Sequence, residues 1–251
     1  MIIVALFNPQ QSFALPKYDG SKTYVTIWFD HAFLDQTVAV DLMAKDGIKG
    51  ALLVRTGVVG EHDYMSWDQL RHYSSLGFEM VDHSITHPKI SDYTSHSRLT
   101  QEILSSRTII LNHQLKVTGY ISPYDFLTTQ SALIINQHYK WTVIPSSTQN
   151  TVTSIQNNGI QYGFSIPTVQ HLGVGVPPGP PLNDFAAAKT QIDYAIQNHT
   201  WLILSFHQID SSKIAYHTNK SLFIDILDYI KQKSDSRQIV TVTPSEGLGI
   251  H

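Results

Sequence analysis

The chain has 251 residues, with 17 lysines and arginines against 20 aspartates and glutamates, so its net charge is −3. That balance excludes a basic nucleic-acid binder, and the absence of cysteine excludes a thiol nucleophile, a thiolate metal site and a disulfide framework. Apolar residues make up 42% and charged residues 15%, which suits a large core and a single α/β domain. The unusual count is histidine, at 13. Histidine is both the near-neutral acid–base side chain and the commonest metal ligand.

No stretch reaches the roughly 18 apolar residues of a membrane span. Residues 1–14 read as the end of a secretion signal, with Ser12 and Ala14 spaced like a small-residue cleavage site, although no basic residue precedes Lys17. On this reading residues 15–251 form one domain of an exported protein. The β-branched and aromatic run at 24–29 predicts a strand, and the apolar spacing at 35–45 a helix. A strand follows at 51–54. Ser66 and Gln69 form a capping-box signature for a helix that ends before Gly77, and a strand at 78–81 comes directly after it. Helical patterns then occupy 98–115, 128–138, 185–197 and 221–233, with strands at 117–121, 141–144, 162–166, 201–206 and 239–243. The proline-rich stretch 167–183 has no periodicity and predicts a long loop facing a ligand. Short apolar strands alternating with longer helices indicate parallel strands buried on both faces. About eight of them predict a complete or distorted β/α barrel.

In a β/α barrel the chemistry gathers where strands end. The strand ends here carry Asp30-His31, Asp82-His83, Ser122-Pro123-Tyr124-Asp125 and His207. In His83-Ser84-Ile85-Thr86-His87-Pro88, two imidazoles four residues apart can reach one metal ion if the segment makes a single turn. Asp30 can accept a proton from an activated water, and His31 can complete three protein ligands with a fourth position open. Adjacent residues at a strand end point apart, so both reach one pocket only if the backbone turns there. His207 closes an apolar run broken only by Ser205, and is the candidate general acid. His62, His72, His96, His113 and His171 read as surface residues.

These residues resemble the polysaccharide deacetylases with a NodB-homology domain, carbohydrate esterase family 4. The similarity runs from about Tyr24 to the C-terminus and is clearest from Met65 through Pro88, where Gly77-Phe78-Glu79 and the His83–Pro88 motif resemble the family's Gly-x-Glu strand and H-S/T-x-x-H-P motif. Gly47 to Val54 is similar to its second strand, Pro123-Tyr124 to its third motif, and Leu204-Ser205-Phe206-His207 to its last. The resemblance implies a distorted β/α barrel, a divalent metal that is most often zinc, and removal of acetyl groups from N-acetylated or O-acetylated sugars of a glycan. It implies Asp30 as base, His31, His83 and His87 as metal ligands, and the Tyr124 backbone N–H at the oxyanion. His207 becomes the acid, and Pro123, Tyr124 and Trp141 are expected to bind substrate, with Trp67 and Tyr120 as further stacking candidates.

Two departures stand out. The family's first motif has a second aspartate where this chain has His31, and its third motif has an arginine, the partner of the base, where this chain has Ile121. They motivate an alternative, a weak or inactive member that only binds glycan. A further alternative is a two-carboxylate glycosidase using Asp30 with Asp82 or Asp125. No G-x-S-x-G elbow, G-x-G-x-x-G turn or P-loop occurs.

Overall fold

Alternate residues of β1 (Thr23–Phe29) enter two different apolar clusters. Val25, Ile27 and Phe29 pack outward against helices, while Tyr24 and Trp28 face inward with Trp141, Trp201, Leu53 and Val81. This period of two is what a strand buried on both faces requires. The computed structural model describes residues 17–91, 94–144, 151–154, 169–173, 184–209 and 217–250.

The other strands of the main sheet are β2 (Ala51–Val54), β3 (Glu79–Asp82), β4 (Val117–Tyr120), β5 (Trp141–Ile144), β6 (Thr151–Ser154), β7 (Val169–Gly173), β8 (Trp201–Phe206) and β11 (Ile239–Thr241). Their order is β6-β5-β4-β3-β2-β1-β8-β7. β8 runs along one edge of β1, while β2 and β11 share the other, β11 at Thr23–Val25 and β2 at Trp28 and Phe29. Every pairing is parallel except β5 with β6. The result is the expected distorted β/α barrel, a curled half-barrel sheet with its large aromatics inside. Two short strands, β9 (Gln208–Ile209) and β10 (His217–Thr218), pair beyond β8.

The helices are α1 (Thr37–Lys45), α2 (Trp67–Ser75), α3 (His96–Thr100), α4 (Ser106–Asn112), α5 (Thr129–His138), α6 (Phe185–Asn198), α7 (Lys220–Asp235) and α8 (Pro244–Leu248). The expected capping box is present at α2, where Ser66 and Gln69 satisfy each other's backbone N–H groups. The helix expected at 98–115 is instead α3 and α4 joined by a π-helical turn, Gln101–Ser105. The stretch 167–183 is not all loop, because Val169–Gly173 pairs with β8. The expected strand at 162–166, the signal at 1–14 and the rest of that loop lie outside the described residues. No helix among the described residues is long and apolar enough to cross a membrane.

Candidate active site

Strand parity decides which side chains reach the mouth of the half-barrel. Continuing the inward series Tyr24, Trp28 in β1 leads to Asp30. Trp201, Ile203 in β8 leads through Ser205 to His207, and Val81 in β3 leads to His83. Asp82 belongs to the opposite face. Its carboxylate is fully buried among the helices and accepts hydrogen bonds from Ser106 Oγ at 2.7 Å, Tyr139 Oη at 2.6 Å and Ser84 N at 3.0 Å. Burial pushes it up to about 7. Asp82 is thus withdrawn from the two-carboxylate alternative, because it faces the helix layer and not the mouth.

Parity alone would send His31 away from Asp30, and the backbone reverses this. His31 and Ala32 adopt left-handed φ values of 71° and 54°, which turns the chain so that both residues face the same space. Nine non-glycine residues among those described have positive φ, and six of them (His31, Ala32, Ser84, His87, Tyr124 and Asp125) belong to the three strand-end segments that form this rim. Such conformations cost on the order of 1–3 kcal/mol each and concentrate where function requires them.

The three expected ligands come together. His31, His83 and His87 offer ring nitrogens that all lie within 4.8 Å of one another. Ring centroids are 5.3 Å apart for His31 and His83, 4.6 Å for His31 and His87, and 4.8 Å for His83 and His87. His83 Nδ1 donates to the Ile121 carbonyl at 2.8 Å, which directs Nε2 into the cluster. Burial lowers His83, drives His31 down to about 2 and His87 down to about 3, so all three imidazoles are neutral donors at physiological pH. A set of three neutral imidazoles fits a divalent transition metal.

Asp30 lies beside this cluster. Its Oδ2 accepts the Ser205 hydroxyl at 2.6 Å and stands 3.6 Å from His207 Nδ1. Burial would raise the carboxyl, but His207, His83, His31 and the Ser205 hydroxyl together hold it below the ordinary carboxylate range. Gln36 ties the strand ends together by donating from Nε2 to the carbonyls of both Asp30 and His207, each at 2.7 Å. Sequence reasoning missed Ser205 and Gln36 as site residues. The one signal was Ser205 as the only hydroxyl in the apolar run of β8. Ile121 is 2% exposed and packs inside the half-barrel, and the side chain that donates to the Asp30 carboxylate here is Ser205.

Tyr124 is 66% exposed, with its ring 4.7 Å from that of His87, whereas Pro123 is buried, so of the two expected substrate contacts only Tyr124 is open to a ligand. Trp141 requires a correction. It is 0% exposed and its Nε1 donates to Glu79 Oε1 at 3.0 Å, at the start of β3 and the far end of the strands from the mouth, so it cannot touch a glycan. Tyr120 is also 0% exposed, and Trp67 stacks on His113 at 3.9 Å. His62, His72 and His96 are exposed, as expected.

Residues 17–163 match the sequence profile of the polysaccharide deacetylase family. The chain belongs to that family. Solved structures with the same fold include the CE4 domain of a multidomain xylanase from the hindgut metagenome of Trinervitermes trinervoides, 13% identical over 92% of this chain and 93% of that one, with a TM-score of 0.59. A family 4 acetyl xylan esterase from Clostridium thermocellum, in complex with a cobalt ion, is 14% identical over 91% of this chain and 93% of its own, with a TM-score of 0.59. A mutant CE4 pseudoenzyme with restored enzymatic activity is 14% identical over 92% of this chain and 69% of that one, with a TM-score of 0.56. No curated protein matches the chain.

Proposed function

We propose that this deacetylase-family protein is a metal-dependent hydrolase that removes acetyl groups from N-acetylated sugars of a glycan, with O-acetylated sugars as further substrates. Its metal is zinc, held by His31, His83 and His87. The observation that carries this reading is the convergence of three neutral imidazoles and the Asp30 carboxylate on one strained rim.

When bound, the cation supplies Lewis acidity to the acetyl carbonyl and acidifies a water molecule. Asp30 takes the proton of that water, its carboxylate oriented by Ser205 and spaced from His207 by the Gln36 bridge. The Tyr124 backbone N–H supports the developing oxyanion, and its exposed ring forms one wall for the sugar. His207 protonates the departing amine. An exported location suits a glycan substrate.

The test is metal analysis of the purified protein, combined with acetate release from chitin oligomers and peptidoglycan fragments with and without chelator. The expected result is bound metal and chelator-sensitive acetate release. Retained metal with no release from any acetylated glycan would favour the non-catalytic glycan binder, a reading motivated by Ile121 and by the pseudoenzyme among the similar structures. Chelator-resistant chain cleavage would favour a glycosidase.

A further inference from the structure

The segment carrying His83 and His87 is an expensive turn, since Ser84 and His87 both hold left-handed φ values, 67° and 59°. Within the turn, Asp82 accepts from Ser84 N, and Ser84 Oγ accepts from His87 N at 3.0 Å. From one side, Thr56 N and Gly57 N donate to the Ser84 and Ile85 carbonyls, each at 3.0 Å. Those bonds leave the N–H groups of Ile85 and Thr86 to be satisfied from the other side, and a single residue does it. Glu102 Oε2 accepts Ile85 N at 3.1 Å and Thr86 N at 2.8 Å, while Oε1 accepts Thr86 Oγ1 at 2.7 Å and faces Arg98 Nη2 at 2.7 Å.

Glu102 is 1% exposed and sits in the π-helical turn Gln101–Ser105 between α3 and α4. π-Turns inside helices are rare and recur at functional sites. Four positions later on the same helical segment, Ser106 donates to Asp82. One helical edge therefore grips both ends of the segment, Ser106 at Asp82 and Glu102 at Thr86, next to His87. The groups around Glu102 are all donors: two backbone N–H groups, one hydroxyl and one guanidinium. Only an acceptor-only side chain satisfies them, which means an ionised carboxylate, since a glutamine must turn its NH₂ toward other donors. Burying that charge is costly, and it is offset by these donors, which tie the carboxylate to the backbone beside His87.

We propose that Glu102 is a positioning residue for the metal centre: through the 85–86 backbone its carboxylate holds His87 in the strained conformation that lets it join His31 and His83, and so sets the affinity of the site for a divalent cation. This rests on the metal reading above. Partners that orient metal ligands typically change affinity by about 10–100-fold when removed.

The experiment titrates metal-stripped protein with zinc and with cobalt against a competing chelator, and compares thermal unfolding with and without metal. Glu102→Gln should weaken both affinities by about tenfold or more and blunt the cobalt absorption spectrum. The rise in unfolding temperature on metal addition should shrink, whereas a merely structural loss would lower the loaded and stripped proteins equally. Thr86→Val, an exposed change that removes the hydroxyl donating to Oε1 and accepting from Arg98 Nη2 at 3.1 Å, should weaken binding several-fold and serves as the test where Glu102→Gln fails to fold. Wild-type protein that holds neither metal overturns this proposal together with the metal reading. Wild-type protein that binds metal, with affinities in the folded variants within twofold of it, overturns this proposal alone.

Discussion

Asp30 and His207 approach one another because their strands are neighbours in register, Phe29 opposite Phe206, and because Gln36 binds the carbonyl of each. In the proposed reaction their tasks differ, and so should the effects of changing them. Asp30→Asn removes the proton acceptor and keeps the shape. Metal content should be unchanged, while acetate release falls by about 10²–10⁴-fold. Loss of metal in that variant would make Asp30 a ligand and His31 a bystander. Ser205→Ala deletes the hydroxyl that donates to the Asp30 carboxylate. A bond to a charged group is worth about 1.5–3 kcal/mol, so kcat should drop about tenfold or more at unchanged metal affinity. His31→Asp should retain metal, because carboxylate oxygen also coordinates zinc, while His31→Ala should weaken binding. Equal affinity in wild type and both His31 variants would place His31 outside the ligand set.

At the scale of elements, the interior is filled by Trp28, Trp141 and Trp201, and the strands must yield space to them. Gly119 in β4 does so by close approach, since a Cβ there would lie 2.0 Å from Trp141 Cε2. Trp141 cannot retreat, being 0% exposed and bonded to Glu79. Gly119→Ala should cost about 3 kcal/mol, or about 6–12 °C in unfolding temperature, and Trp141→Phe in the same chain should recover part of it. Additive losses in the double variant would show that the two positions do not compete for space. The strands at 51–54, 141–144 and 201–206 were legible because each is a short, largely apolar run bounded by glycine, proline or polar residues. What was not legible depends on tertiary partners. The π-turn in the 98–115 pattern is visible only once Glu102 and Ser106 have β3 and its following turn to hold. The antiparallel β6 and the five-residue α8 are too short for periodicity to mark. For the site, His83 and His87 could be read from spacing and Asp30 from its strand end. The roles of Ser205, Gln36 and Glu102 could not, because each acts on a residue brought close only by folding.

Across the whole molecule, the rim concentrates ionisable groups whose folded-state proton affinity lies below that of the unfolded chain. Burial drives His31 down to about 2 and His87 down to about 3, and lowers His83. In the unfolded chain each imidazole titrates near its ordinary value, about 6.5. Between the folded and unfolded values the unfolded state binds more protons, so the metal-free protein loses stability as pH falls through that window. Asp30 has the same sign, because its folded carboxyl lies below the ordinary range and its contribution disappears as acid protonates it. Asp82, raised to about 7 by burial, has the opposite sign, but one carboxyl is outweighed by three imidazoles. The expected outcome is therefore a net fall in the unfolding temperature of stripped protein from about pH 7 to about pH 4. His87→Gln removes one of the depressed imidazoles and should make the acid slope shallower, even where it changes stability at neutral pH. Thermal unfolding of both proteins across that range, with metal removed, is the measurement. A flat profile, or the same slope in the variant, would mean that water reaches the three imidazoles freely and that the buried, pre-formed ligand cluster does not persist without its cation.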